Sequence, residues 1–324
     1  MELSRSAAVV LAVGAALSVT ACGGGGGVSA SASDGELEKT EVTVGALPLA
    51  DYAAVYWAKE QGFFEDEGLT VTLEPLQGGS IGAQRVASGE LDFSFSNTIS
   101  TALATQSGMP IKTVALTSAL GDDTLSVYVK PDSPIRSMED LDGKNIGINT
   151  TNNIGDVTFR ALAASEGVDV EPTFVEVPFN EMLAGVEAGS IDAGYAPEPF
   201  ASAAEEAGMR EVVDLSSGPN AGLAVSNFVT SDSFINENPD TTDAFIRAVY
   251  AAGADIEANK DEFRTWLPEI ANVPAETASS MALPTFLEET DVDEIQKVAE
   301  MMIDQGILEE GYDAAEHTYV PAES

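Results

Sequence analysis

The sequence predicts an α/β fold in which two lobes face each other across a cleft. Two observations carry that expectation: strand and helix signals alternate along the chain, and one helix-strand unit occurs twice. Ser80 to Ser96 (SIGAQRVASGELDFSFS) and Asn180 to Ala196 (NEMLAGVEAGSIDAGYA) align without a gap at an offset of 100 residues. Val86 matches Val186, Gly89 matches Gly189 and Asp92 matches Asp192, while Leu91 stands opposite Ile191 and Phe95 opposite Tyr195. Two similar α/β units imply two lobes, and a cleft between lobes is where a small ligand binds. From Glu41 onward the chain is long enough for two ordinary domains, and its apolar fraction of 44% is that of a globular protein.

Each element can be justified in order. Glu41 to Leu47 (EVTVGAL) reads as the first strand, and the loop from Pro48 to Asp51 feeds a helix through Tyr52, Val55, Tyr56 and Lys59 that stops near Gly62. Leu69 to Leu73 alternates as a second strand. Gly78, Gly79 and Ser80 cap the next helix, Leu91 to Phe95 is a third strand, and Ser96 or Asn97 caps the helix after it. Ile111 to Leu116 returns to strand, and Leu125 to Lys130 leads out to Pro131 and Pro134, where the chain is expected to cross between lobes. Beyond Ser137, a strand at Asn145 to Ile148 precedes a helix capped by Thr150 to Asn153, with Ile154, Val157, Thr158, Ala161 and Leu162 on one face. Thr173 to Val177 is a strand, Asn180 caps the repeated helix, Ile191 to Tyr195 is the repeated strand, and Pro197-Glu198-Pro199 opens another helix. Leu223 to Thr230 returns to the first lobe. Helices follow over Pro239 to Lys260, Ala275 to Leu283 and Asp291 to Ile303, and the acidic tail after Gly311 has no clear element. The expected organisation places the first lobe at residues 41–128 and 225–324 and the second at 129–224.

The N-terminus locates the protein. Arg5 precedes an apolar run from Ala7 to Val19, too short to span a bilayer, which needs roughly 20 apolar residues. Val19-Thr20-Ala21-Cys22 has the small residues of a secretory cleavage site and resembles the lipobox of bacterial lipoproteins, in which the cysteine becomes the acylated N-terminus. Residues 1–21 are therefore read as a lipoprotein signal peptide, Cys22 as the lipidation site, and the Gly/Ser-rich residues 22–40 as a flexible tether. The location expected is extracytoplasmic, at the cell membrane, through a lipid anchor only. Cys22 is the one cysteine, so a disulfide within the chain is excluded.

Charge removes further classes. With 54 acidic and 14 basic residues the net charge is −40, which repels phosphate backbones and anionic headgroups and excludes nucleic-acid binding. The acid excess keeps the surface solvated, and it is the pattern expected of adaptation to high salt, where self-repulsion is screened.

The segment from Tyr52 to Asn97 (YAAVYWAKEQGFFEDEGLTVTLEPLQGGSIGAQRVASGELDFSFSN) resembles the substrate-binding proteins of ABC importers in the nitrate, sulfonate, taurine and thiamine-pyrimidine group. The shared features are an aromatic-rich helix ending in Gly-Phe-Phe, a Gly-Leu-x-Val strand and a Gly-Gly-Ser turn. SMEDLDGKNIGIN and APEPF resemble the start of the second lobe and the ligand-facing segment of the same group, and the likeness runs from about Glu41 to Thr230. It implies a two-lobed type II periplasmic-binding-protein fold with a helical C-terminal region. It also implies a protein that closes on a solute and docks to a permease and its ATPase; a monomer without a cofactor or a metal is expected.

In open α/β sheets ligands sit beyond the carboxyl ends of the strands. That rule selects Pro48, Asp51 and Tyr52, then Gly79 and Ser80, Asn97 and Thr98, and Thr117 and Ser118 in the first lobe. In the second it selects Thr150, Thr151, Asn152, Tyr195 and Glu198. Ser80, Thr98 and Thr151 stand at helix N-termini, where free N–H groups hold a polar or anionic group, or where the residues simply cap. Tyr52 and Tyr195 can sandwich a flat ligand, or serve as core aromatics. Asp51 and Glu198 favour an amine or amidine-like donor over a sulfonate, unless they are surface acids. The nearby arginines, Arg85 and Arg160, lie inside helices rather than at strand ends.

The reading that results is a solute-binding component of an importer, with a thiamine-precursor pyrimidine favoured, an aliphatic sulfonate or taurine next, and nitrate third because N–H groups alone can hold small oxyanions. An enzyme like the fold-related pyrimidine synthases is disfavoured. The resemblance implies that such chemistry needs a His and Cys cluster, whereas this chain has one histidine, His317, in its tail. A sensor or chaperone-like lipoprotein using the same cleft is the third class.

Overall fold

The computed structural model describes residues 37–76, 78–271 and 273–321. Cys22, the signal segment and most of the tether lie outside them. The chain opens with strand β1 (Glu41–Ala46), helices α1 (Ala53–Gln61) and α2 (Phe63–Asp66), β2 (Thr70–Pro75), α3 (Gly79–Ala87), β3 (Phe93–Asn97), α4 (Thr98–Gln106) and β4 (Ile111–Ala119). Next come β5 (Leu125–Val129), β6 (Asn145–Ile148), α5 (Ile154–Glu166), β7 (Thr173–Glu176), α6 (Phe179–Ala188), β8 (Ala193–Pro197), α7 (Phe200–Glu206) and β9 (Arg210–Asp214). The last part holds β10 (Ala224–Ser231), α8 (Asp232–Glu237), α9 (Pro239–Ala258), α10 (Lys260–Trp266), α11 (Pro268–Ala271), α12 (Ala275–Ser280), β11 (Thr285–Phe286) and α13 (Val292–Asp304). Among these, no helix is long and apolar enough to cross a membrane.

Two sheets organise these elements, one in the order β11-β4-β10-β3-β1-β2 and the other β7-β6-β8-β5-β9. Within them, β2, β1 and β3 run parallel with β10 antiparallel beside β3, and β7, β6 and β8 run parallel with β5 antiparallel beside β8. The two arrangements correspond strand for strand. In each sheet the antiparallel strand beside the parallel group is the one that has just arrived from the other lobe, β10 in one and β5 in the other, and the first sheet adds β11 antiparallel at its edge.

This corrects the sequence reading of Leu125–Val129 as a first-lobe strand. Its five residues are all buried, it pairs with β8 and β9, and the crossing lies before it, where the Leu120 amide donates to the Leu223 carbonyl at 3.0 Å. Pro131 and Pro134 mark the turn after the strand, not the passage between lobes. Smaller corrections concern where elements begin. Strands β3 and β8 begin two residues later than expected because Leu91 and Ile191 are used in the turn, where their amides donate to the Arg85 and Gly185 carbonyls. Helix α6 is entered from Pro178 rather than capped by Asn180, and α7 begins at Phe200, after both prolines.

The repeat has a structural meaning. Gly89 and Gly189 both adopt left-handed φ, 75° and 73°, to leave the helix. Next, Asp92 Oδ2 accepts from the Thr43 amide (2.8 Å) while its own amide donates to the Thr43 carbonyl; Asp192 does the same with Asn145 (2.9 Å). Each aspartate therefore pins the start of its parallel neighbour strand.

The larger core packs α1, α2 and α9 against the first sheet around Trp57, Phe64, Phe93 and Phe245, with the Phe93 and Phe245 rings stacked 4.0 Å apart. A second core joins the second sheet to Ile99 and Ala102 of α4 and to Val298, Ala299 and Met302 of α13. The crossing region is thus backed by apolar packing that both lobes share.

A candidate ligand-binding cleft

The loop after β1 carries Pro48, Asp51 and Tyr52 to the carboxyl edge of the first sheet. Ser118 Oγ donates to the Asp51 carbonyl at 3.0 Å, and Thr117 Oγ1 donates to the Ser226 carbonyl at 3.3 Å. Both hydroxyls therefore hold backbone in place. The Tyr52 ring is buried and meets Phe95 edge-on at 5.0 Å, with its hydroxyl beside Ser226.

Asp51 is different. Its carboxyl has no hydrogen-bond or ion-pair partner among the described residues, and Asp51 is half-buried. Burial, with the Glu198 carboxylate nearby, pushes its pKa up to about 7. From the second lobe Tyr195 comes close enough for Asp51 and Tyr52 to act on it. Burial first, then those neighbours and Asp156, raise its hydroxyl well above the usual tyrosine range. The Tyr195 hydroxyl also has no protein partner among the described residues. Two half-buried phenylalanines extend this wall, Phe179, absent from the sequence reading, and Phe200, the last residue of the APEPF segment: Phe179 lies 5.8 Å from the Tyr195 ring and stacks on Phe200 at 5.3 Å. Both open helices that follow second-sheet strands, and that position is the signal that would have found them.

The other predicted residues make contacts within the protein. Asn97 caps α4 by accepting from the Ser100 amide (2.8 Å), and its Nδ2 donates to Asn153 Oδ1 (3.1 Å) in the second lobe. Asn153 in turn donates to Ser100 Oγ (2.9 Å) and caps α5 in a capping box with Asp156. The lobes therefore meet through Asn97, Ser100 and Asn153, of which the sequence reading picked only the first as a site residue. Thr98 Oγ1 donates to the Ala224 carbonyl at 3.4 Å. Thr151 donates through both its amide and its hydroxyl to Glu176 Oε1, and Thr150 Oγ1 accepts from Asn149. Asn152 takes a left-handed φ of 51° and donates its amide to Asp156. Gly79 lies against β3, where a Cβ would sit 3.1 Å from Ser96 Cα, and Ser80 is exposed beside it.

Glu198 is nearly fully buried and fully engaged. Its carboxylate accepts from the Ser202 amide (3.1 Å) and hydroxyl (2.8 Å) and from the Ala282 amide (3.1 Å). Burial raises its pKa and those bonds oppose the rise. Neither nearby arginine is free to meet a ligand: Arg85 pairs with Glu74 and Glu90, and Arg160 pairs with Asp156 and lies over Phe174. A separate concavity of about 700 Å³, lined by Leu116, Ala119, Gly222, Phe286, Glu289 and Glu294 among others, contains none of the predicted residues. The unpartnered groups are instead the Asp51 carboxyl and the Tyr195 hydroxyl, next to Tyr52.

The NMT1/THI5-like family pattern matches residues 50–262, a span that takes in the whole second sheet, β2, β3, β4 and β10 of the first, and Asp51, Tyr52 and Tyr195. The chain belongs to that family. Over 234 residues it is 27% identical to the riboflavin-binding protein RibY of Chloroflexus aurantiacus, covering 70% of this chain and 64% of that protein. It is 25% identical to the taurine-binding periplasmic protein of Escherichia coli over 74% of this chain and 72% of the relative. It is also 24% identical to the 4-amino-5-hydroxymethyl-2-methylpyrimidine phosphate synthase THI13 of Saccharomyces cerevisiae, covering 68% and 66%. In fold it matches the alkanesulfonate-binding protein SsuA from Xanthomonas axonopodis pv. citri with a TM-score of 0.74 at 16% identity, over 88% of this chain and 99% of that one. The two-lobed periplasmic-binding-protein architecture is thereby shown.

Proposed function

We propose that this protein is the extracytoplasmic solute-binding component of an ABC importer. It captures a small polar organic solute between its lobes and delivers it to a permease and ATPase, with Cys22 carrying the lipid anchor. The family and its binding-protein relatives support that class.

One observation carries the choice of solute. The unpartnered groups in the cleft are a carboxyl and a phenol, Asp51 and Tyr195, with the Tyr52 hydroxyl beside Ser226 and the nearby arginines already paired. The ionised Asp51 carboxylate accepts hydrogen bonds from an amine or amidine and repels a sulfonate, the phenol can accept or donate, and the Tyr195, Phe179 and Phe200 rings suit a flat heterocycle. An amino-bearing pyrimidine of the thiamine-precursor kind is therefore favoured, with taurine or another sulfonate second and nitrate third. Non-catalytic capture is favoured over synthesis because the sole histidine, His317, stacks on Tyr312 at 5.0 Å and takes no part in the cleft described above.

The test is a thermal-shift screen of the full chain carrying Cys22→Ser against 4-amino-5-hydroxymethyl-2-methylpyrimidine, riboflavin, taurine, alkanesulfonates and nitrate. A ligand at 100 times its dissociation constant adds about 2.7 kcal/mol of stability. The expected result is a shift with the aminopyrimidine that Asp51→Asn abolishes; a shift with a sulfonate alone overturns the choice of solute.

A further inference from the structure

Helix α7 bridges the lobes at both of its ends. At its entry Glu198 Oε1 accepts the Ala282 amide (3.1 Å), and at its exit Glu206 Oε1 accepts the Thr277 hydroxyl (2.5 Å). Thr277 and Ala282 lie in and just after α12, on the first-lobe side. There Ala278 and Met281 are buried in the larger core, and the Arg264 guanidinium donates to the Ala278 carbonyl (3.0 Å) and the Met281 carbonyl (2.7 Å). The Ala282 N–H and the Thr277 hydroxyl are therefore presented on a braced segment. On the second-lobe side Ser202 fixes the Glu198 carboxylate through its amide and hydroxyl. Phe200, between the two glutamates, packs against cores of both lobes.

We propose that Glu198 and Glu206 form a clasp that holds the lobes closed, with Glu198 a positioning residue and not a ligand of the solute. The proposal deepens the solute-capture reading and rests on it for its purpose. Its chemistry suits this chain: neither glutamate is paired with a cation among the described residues, and both accept from neutral donors. Salt that screens an ionic latch leaves such bonds largely intact. The clasp also lies next to the cleft floor, because Glu198 acts on Asp51. A donor group arriving at Asp51 relieves the repulsion between two carboxylates that closure brings together.

The experiment is a spin-label distance measurement on the ligand-free full chain carrying Cys22→Ser, with labels at Lys59→Cys in the first lobe and Glu187→Cys in the second, both exposed positions. The expected result is a short-distance population in the parent chain. Glu198→Ala and Thr277→Val should each reduce its ratio to the long-distance population about tenfold, the scale of a hydrogen bond to a charged group. Glu206→Gln, which keeps an acceptor for Thr277, should retain it. Thermal melts confirm folding, and Thr277→Val carries the test if Glu198→Ala does not fold. A parent chain without a short-distance population, or a population that neither variant changes, overturns the clasp. No solute enters the measurement, so a clasp that fails here and a solute screen that fails are separate results.

Discussion

Asp51 lacks a side-chain partner because the loop that holds it uses other atoms. Ser118 grips its carbonyl and leaves the carboxyl facing Tyr52, Tyr195 and Glu198. Its pKa of about 7 against an ordinary 3.8 means that the folded chain keeps a proton which the unfolded chain releases. The stability tied to that proton is complete below about pH 4 and is lost as pH rises through about 7. Asp51→Asn should therefore match the parent chain near pH 4 and exceed it near pH 8, by up to about 4 kcal/mol at roughly 1.4 kcal/mol per pH unit. Urea unfolding of both chains at the two pH values measures this, and an equal difference at both would show that Asp51 ionises normally. Glu198 is also buried and acidic and its pKa is also raised, but there three donors oppose the rise that burial causes, as none does at Asp51. The sequence pointed to both acids as cleft residues or surface acids, and no local pattern distinguishes an acid with partners from one without. The partner that decides, Ala282, lies 84 residues from Glu198.

The two copies of the repeat solve one packing problem in opposite ways. In the first, Gly82 on α3 leaves room for Ser94 on β3, and a Cβ on Gly82 would lie 2.1 Å from Ser94 Oγ. In the second, the equivalent helix position is Met182, and the space is made in the sheet by Gly194 and Gly147; a Cβ on either would lie within 2.9 Å of Met182. Gly82→Ala should therefore cost about 1–3 kcal/mol by overpacking, and adding Ser94→Gly should restore most of it. Chemical denaturation of the single and double variants measures the coupling, and additive effects would mean that the contact is not the cause. The repeat was legible in sequence because Gly89, Asp92 and their counterparts satisfy backbone demands that do not vary with the neighbours. This swap was not legible, because it is a property of pairs. For the same reason the elements were read within a few residues while β5 went to the wrong sheet: its apolar run says that it is buried but not beside which strands. The two-residue β11 and the strand β9 were missed, since neither has a strong alternating pattern of its own.

At the scale of the whole molecule the dominant fact is a net charge of −40. Among the described residues seven ion pairs engage six cationic side chains, so most carboxylates have no cation beside them. Pairwise repulsion between exposed acids acts over about 30 Å at 0.01 M ionic strength but only about 3 Å at 1 M. The unfolded chain spreads the same charges over a larger volume, so screening favours the folded state. The melting temperature at pH 7 should thus rise by several degrees between about 0.05 and 1 M sodium chloride, with most of the gain where the screening length falls below the spacing of surface carboxylates. Two controls separate screening from other salt effects. Choline chloride at equal ionic strength should give a similar rise, since screening depends on ionic strength, whereas carboxylate-specific sodium binding would not survive the exchange. Near pH 4, where carboxylates are partly protonated, the rise should shrink. A melting temperature indifferent to salt at pH 7 would instead mean that the acids are spaced widely enough for water alone to screen them, and the acid excess would then be a matter of solubility and not of adaptation to high salt.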